Sequence, residues 1–165
     1  MRTIYLPENP KYVNMKRIFI LLFFVVLDTH YSDAQTAEDS VKAVINQLFL
    51  GMKNADASLV QTAFADSAIM QTLARDKQGQ VMVENDNVDQ FATLVSGLKK
   101  GAADEQITFE SIRIDGPLAM VWAPYKFFFE GNFSHCGVDS FQLIFINGHW
   151  KIQYLIDTRR RQPCD

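Results

Sequence analysis

The sequence predicts an α+β domain in which three helices, all in the first half of the folded body, pack on a mainly antiparallel sheet. Apolar residues recur at helical spacing between Thr36 and Gly97. After Gly101 the chain changes to long β-rich runs, and Asn147-Gly148 between two of them is a strong two-residue hairpin signal. Helices first and long strands last is the order of an α+β architecture, not of alternating βαβ units.

Ahead of the first helix stands an address. Lys16 and Arg17 precede the apolar run Ile18 to Leu27, and Ser32-Asp33-Ala34 follows it, the basic, apolar, small-residue order of a signal peptide. The run is half the roughly 20 residues that a membrane-spanning helix needs. We expect Met15 as the start, residues 1–14 as an upstream extension, and cleavage after Ala34 with no lipid anchor and no stable membrane anchor. The exported product, 35–165, is then a single domain, periplasmic or secreted. With 48% hydrophobic and 21% charged residues in the chain, a folded, water-soluble body is expected. A net charge of -3 gives no basic surface for nucleic acid, which is excluded as a partner.

Thr36, with Asp39 three residues on, reads as a helix start, and Val41, Val44, Ile45, Leu48, Phe49 and Met52 give its apolar face. The helix should stop between Gly51 and Asn54. Asp56 can cap a short second helix with Leu59, Val60, Ala63 and Phe64 inward. Ala68 to Leu73 and Val81 to Glu84 form a hairpin around Lys77-Gln78-Gly79. Asn85-Asp86-Asn87 caps a third helix with Val88, Phe91, Leu94 and Val95 on one side. Strands are expected at Gln106 to Ile114, Leu118 to Glu130, Val138 to Ile146 and His149 to Thr158. Pro124 lacks a backbone donor and implies a bulge or an edge.

A two-residue turn at Asn147-Gly148 sets Ile146 opposite His149, and with it Phe145 opposite Trp150, Leu143 opposite Ile152 and Phe141 opposite Tyr154. That aromatic face should lie beneath the helices, joined by Trp122, Tyr125, Phe127 and Phe129. The same register puts Cys136 opposite Arg159, with Cys164 about 17 Å further along an extended chain. Bonded cysteines lie within about 7 Å, so Cys136 and Cys164 form a disulfide only if the tail folds back; two free thiols are the alternative.

The helix pair, short hairpin, third helix and closing strands resemble the nuclear transport factor 2-like fold, a cone-shaped, cystatin-like fold shared by ketosteroid isomerase, scytalone dehydratase and SnoaL-like polyketide cyclases. The segments Asp115 to Trp122, Phe133 to Gly137, Gly148 to Ile152 and Asp157 to Arg160 resemble its exported bacterial branch labelled "putative lumazine-binding". The resemblance covers Thr36 to Cys164 and implies a homodimer through the outer sheet face. It also implies a ligand cone lined here by Trp122, Tyr125, Phe127 and Tyr154, with Arg160 at its rim. The plain alternative is that these aromatics only fill the core.

Catalytic residues are not assigned: the first helix presents no Tyr, His or carboxylate on its apolar face, and no pair of inward acids is evident. Asp157 and Arg159, two apart on a strand, share a face and can pair. His135 and Cys136 point to opposite faces, so neither a metal site nor a Cys-His nucleophile is expected. The function read from the sequence is an exported, non-catalytic domain that binds an unknown small apolar or aromatic molecule without a cofactor. An isomerase, dehydratase or cyclase, or an interaction module with a filled cone, are its rivals.

Overall fold

The computed structural model describes residues 36–162 and Cys164, so the leader and cleavage site expected at 1–34 lie outside the described residues. Helix α1 covers 36–54 and buries Val41, Ile45, Leu48, Phe49 and Met52, the stripe its spacing predicts. Helix α2 is Ala57–Ala63, capped by the Asp56 carboxylate, which accepts from the Ser58 and Leu59 amides at 3.0 and 3.1 Å. Phe64, expected inside this helix, is instead the first residue of a strand, and remains buried. Helix α3, Val88–Ser96, is capped by Asn87, whose side chain accepts from the Asp89 and Gln90 amides. Its buried residues are Ala92 and Val95, whereas Leu94, expected inward, is 72% exposed. The small Ala92 is the residue turned to the core, and Leu94 lies about 200° further round the helix.

Seven strands form one unclosed sheet: β1 Phe64–Arg75, β2 Val81–Asp86, β3 Ala103–Ile107, β4 Ser111–Asp115, β5 Leu118–Phe129, β6 Asn132–Ile146 and β7 His149–Arg160. Their order is β2-β1-β7-β6-β5-β3, with β4 also paired to β5. The pairs are antiparallel except β1 with β7. The single strand expected from Gln106 to Ile114 is two. β3 pairs up to Ile107 opposite Tyr125 and β4 resumes at Ser111 opposite Trp122, one residue out of step. The break falls at Pro124, which has no N–H to give to that edge but whose carbonyl still accepts from the Thr108 amide at 2.9 Å.

Asn147 and Gly148 both take positive φ, 53° and 81°, as a tight turn matched to strand twist requires. The β6–β7 register follows from it as far as Leu143 opposite Ile152. There β7 holds one extra residue: Gln142 pairs with Tyr154, Phe141 with Leu155 and Cys136 with Arg160. The expected pairs Phe141 with Tyr154 and Cys136 with Arg159 are corrected accordingly. A single inserted residue exchanges the two faces of the strand beyond it.

The helix-covered face therefore buries Ala119, Val121, Ala123, Phe141, Leu143, Trp150, Ile152 and Leu155. Trp122 does not join them. β5 alternates regularly past Pro124, because the irregularity lies on the β3/β4 side, and this leaves Trp122 on the outer face, 44% exposed beside Leu118 and Met120. The chain bends after Arg160, and Cys136 and Cys164 are joined with their Cα atoms 5.8 Å apart. No helix among the described residues is long and apolar enough to cross a membrane.

Candidate functional site

Between the helices and the far end of the sheet lies a hollow of about 190 Å³. Its helical wall is apolar: Leu48, Phe49 and Met52 come from α1, spaced to one face, and Phe91 from α3. The sheet supplies a different floor. Met70 and Thr72 reach it from β1, Glu105 from β3, Tyr125 and Phe127 from β5, His135 and Asp139 from β6, and Leu155, Asp157 and Arg159 from β7, while Asp86 stands at the end of β2.

Of the residues expected to line a ligand cone, Tyr125 and Phe127 do so; Trp122, Tyr154 and Arg160 do not. The extra residue at Gln153 turns Tyr154 to the opposite side, where its hydroxyl donates to Gln71 Oε1 at 2.6 Å. Arg160 turns with it, and Leu155, Asp157 and Arg159 take the inward positions.

Asp157 is the anchor of a closed network. Thr72 Oγ1 donates to its Oδ1 at 2.5 Å, and Arg159 Nε donates to its Oδ2 at 2.9 Å. One Arg159 terminal nitrogen also donates to Thr72 Oγ1 at 3.0 Å. The Tyr125 hydroxyl lies 3.0 Å from the Thr158 carbonyl oxygen and 3.2 Å from Asp157 Oδ2, and can donate to one of them. Tyr125 occupies this place because Gly137 is opposite it: a Cβ there would stand 2.7 Å from the Tyr125 ring and 1.7 Å from the Thr158 oxygen. Burial, with the Asp157 charge behind it, pushes the Tyr125 hydroxyl up, so it stays protonated.

Glu105 and Asp139 form the other acidic group, and the expectation that no inward acid pair exists is overturned. Both line the hollow, and the Glu105 charge disfavours ionisation of Asp139, so the pair retains a proton that separate carboxyls would lose. Asp139 Oδ2 is buried with no hydrogen-bond partner. Burial, and then the charge of Glu105, holds Asp139 well above the usual carboxylate range, while burial raises Glu105 to about 7. By area Glu105 is only partly covered, because one side of it opens into the hollow. Burial and the nearby Arg159 charge push His135 down, which leaves the imidazole neutral at pH 7. Its ring packs on Tyr125 and Phe127, with centroids 5.7 and 5.1 Å away.

The pair was missed because its members are 34 positions apart on strands that do not touch: β5 separates β3 from β6. A signal existed. Asp139 is in phase with Phe141 and Leu143, and Glu105 with Ile107, so each acid shares the parity of an apolar face. Asp157 and Arg159 do share a face and pair, as their spacing implies. Among the described residues no group of three or more His, Cys, Asp or Glu side chains is arranged to hold a metal ion.

The sequence pattern of the family described as "Putative lumazine-binding" matches residues 36–154. The chain belongs to that family. Solved structures carry the fold beyond it. An NTF2-like protein of unknown function from Shewanella baltica OS155 superimposes with a TM-score of 0.60 at 16% identity, covering 77% of this chain and 96% of that one. A second NTF2-like protein of unknown function, from Silicibacter pomeroyi DSS-3, gives 0.60 at 15% identity over 77% and 98% of the two chains. A protein of unknown function with a cystatin-like fold from Nostoc punctiforme PCC 73102 gives 0.60 at 11% identity over 74% and 90%. Among curated proteins none matches. The fold of this "Putative lumazine-binding" family member is thus the nuclear transport factor 2-like, cystatin-like one, and likeness at such identities carries the fold alone.

Proposed function

We propose that the protein is an exported small-molecule-binding domain whose ligand lies in the hollow between α1, α3 and the sheet, its flat apolar body against Phe49 and Phe91 and its polar end against the acid pair. One observation carries this reading: a space of about 190 Å³ persists inside an otherwise packed core, apolar on one side and hydrogen-bonding on the other. A cavity of roughly 150 Å³ already holds benzene, so a single substituted ring fits. The family description supports a ligand of this general kind, and the basic, apolar, small-residue leader supports export.

Thermal shift against a panel of small aromatic compounds tests it, with Met52→Trp filling the hollow from α1. A binding compound at 100 times its Kd should stabilise the wild type by about 2.7 kcal/mol and leave the variant unmoved. Equal shifts in both proteins would remove the hollow as the binding site.

A second reading, acid–base catalysis of the isomerase or dehydratase kind, is favoured by Glu105, a carboxyl raised to about 7 and open to the hollow. Binding leads because the Tyr125 hydroxyl, the obvious donor for a developing oxyanion, is already engaged with Thr158 and Asp157. A bound ketone that exchanges a carbon-bound hydrogen for deuterium in heavy water would reverse that order.

A further inference from the structure

We infer that the hollow selects a cation, a flat aromatic group bearing an amidinium or a protonated ring nitrogen, whose N–H donors are received by Glu105 and Asp139. This rests on the reading of the hollow as a ligand site and adds the chemistry of the ligand.

Several donors around the floor are turned to one another and not to the pair: the Thr72 hydroxyl and the Arg159 Nε serve Asp157, an Arg159 terminal nitrogen serves Thr72, and Tyr125 lies against Thr158 and Asp157. Asp139 stands beside another acid, Glu105, whose charge raises it, and not beside a donor. Asp139 is 3% exposed, lines the hollow, and its Oδ2 lacks any donor. A buried acceptor left unmatched is costly, and the group that would match it is a donor brought by the ligand.

Facing the pair, α1 presents Leu48, Phe49 and Met52, α3 presents Phe91, and β1 presents Thr72, none of them charged. The end of β2 presents Asp86, β5 Tyr125, β6 His135, and β7 Asp157 and Arg159. The one cation, Arg159, is bound to Asp157; His135 is neutral; Asp86 and the pair remain. An anionic ligand would meet the Asp86, Glu105 and Asp139 carboxyls, with the one cation already paired to Asp157, and a neutral acceptor would leave Asp139 Oδ2 unmatched. A planar cation matches both, and Phe49, Phe91, Tyr125 and Phe127 offer it aromatic faces.

Glu105 sits at about 7 because burial disfavours its charge; a ligand cation removes that penalty, and the proton leaves to solvent as the ligand enters. Affinity should therefore fall about tenfold for each pH unit below 7 and level off above it.

Four probes of one size test this by calorimetry on the full chain between pH 5.5 and 8.5: benzamidine, a cation; benzamide, neutral; benzoate, an anion; and toluene, apolar only. Benzamidine should bind about tenfold more tightly than benzamide at pH 8, with benzoate weakest. It should show the stated pH dependence, and Glu105→Gln should abolish both the preference and the slope while benzamide binding persists. Benzamide or benzoate binding as tightly as benzamidine, a pH-independent benzamidine affinity, or toluene binding without benzamidine, would overturn the cation inference and leave the hollow a ligand site. If none of the four binds, the hollow fails as a site and the inference fails with it. The wild-type pH profile decides the matter even if the variant does not fold.

Discussion

Four carboxyl groups line one hollow, and three of them, on the floor of the sheet, live in opposite circumstances. Asp157 is surrounded by donors from β1, β5 and its own strand. Asp139, directly opposite it on the neighbouring strand β6, and Glu105 on β3 share that floor, yet Asp139 Oδ2 has no donor at all. The contrast separates a structural acid from a functional one. The first holds the floor together as a charge; the second pair costs stability when charged, and folded proteins retain such groups where they act on something.

Removing the satisfied acid should have the largest effect. Asp157→Ala strands the Thr72 hydroxyl and the Arg159 Nε, leaves Tyr125 only the Thr158 carbonyl, and should lower stability by about 3 kcal/mol, measured by urea denaturation. A loss below that of an ordinary surface substitution would erase the contrast.

Replacing the unsatisfied acid should act in the other direction. A carboxyl whose folded pKa is raised, from 4.5 to about 7 for Glu105, favours folding below the lower value and loses that contribution as pH rises through the upper one. The protein should thus become less stable between about pH 5 and 8, and Glu105→Gln should flatten the profile and stabilise the fold at pH 8 by about 2 kcal/mol, allowing for the partial exposure of the carboxyl. An unchanged profile would mean that Glu105 is not buried as a charge. The smallest effect is expected on the other side of the sheet: Trp122→Ala should cost less than about 1 kcal/mol and leave the affinity of any hollow-bound compound unaltered. A loss of affinity there would transfer the site to the outer face.

How far these groups were legible differs residue by residue. The Asp56 and Asn87 caps are local chemistry and stand as the sequence implies. The Asn147-Gly148 turn fixes its neighbours as far as Leu143 and Ile152. Beyond that point the extra residue in β7 reassigns every side chain, so Tyr154 and Arg160 give way to Leu155, Asp157 and Arg159 at the hollow. Trp122 would face inward with Tyr125 only if β5 itself slipped at Pro124; the break instead belongs to the neighbours β3 and β4, which lose the donor.

The order of helices and strands, their caps, the closing turn and the pairing partner available to Cys136 were determined by the chain itself, because each depends on residues a few positions apart or on a residue type that has few roles. Which face of β7 meets the helices, and that Glu105 and Asp139 meet at all, was decided only by the assembled sheet. Strand alternation is local, but the point where it slips is set by pairing across strands, and a carboxyl becomes a proton-sharing partner only when three strands and two helices have excluded water from it.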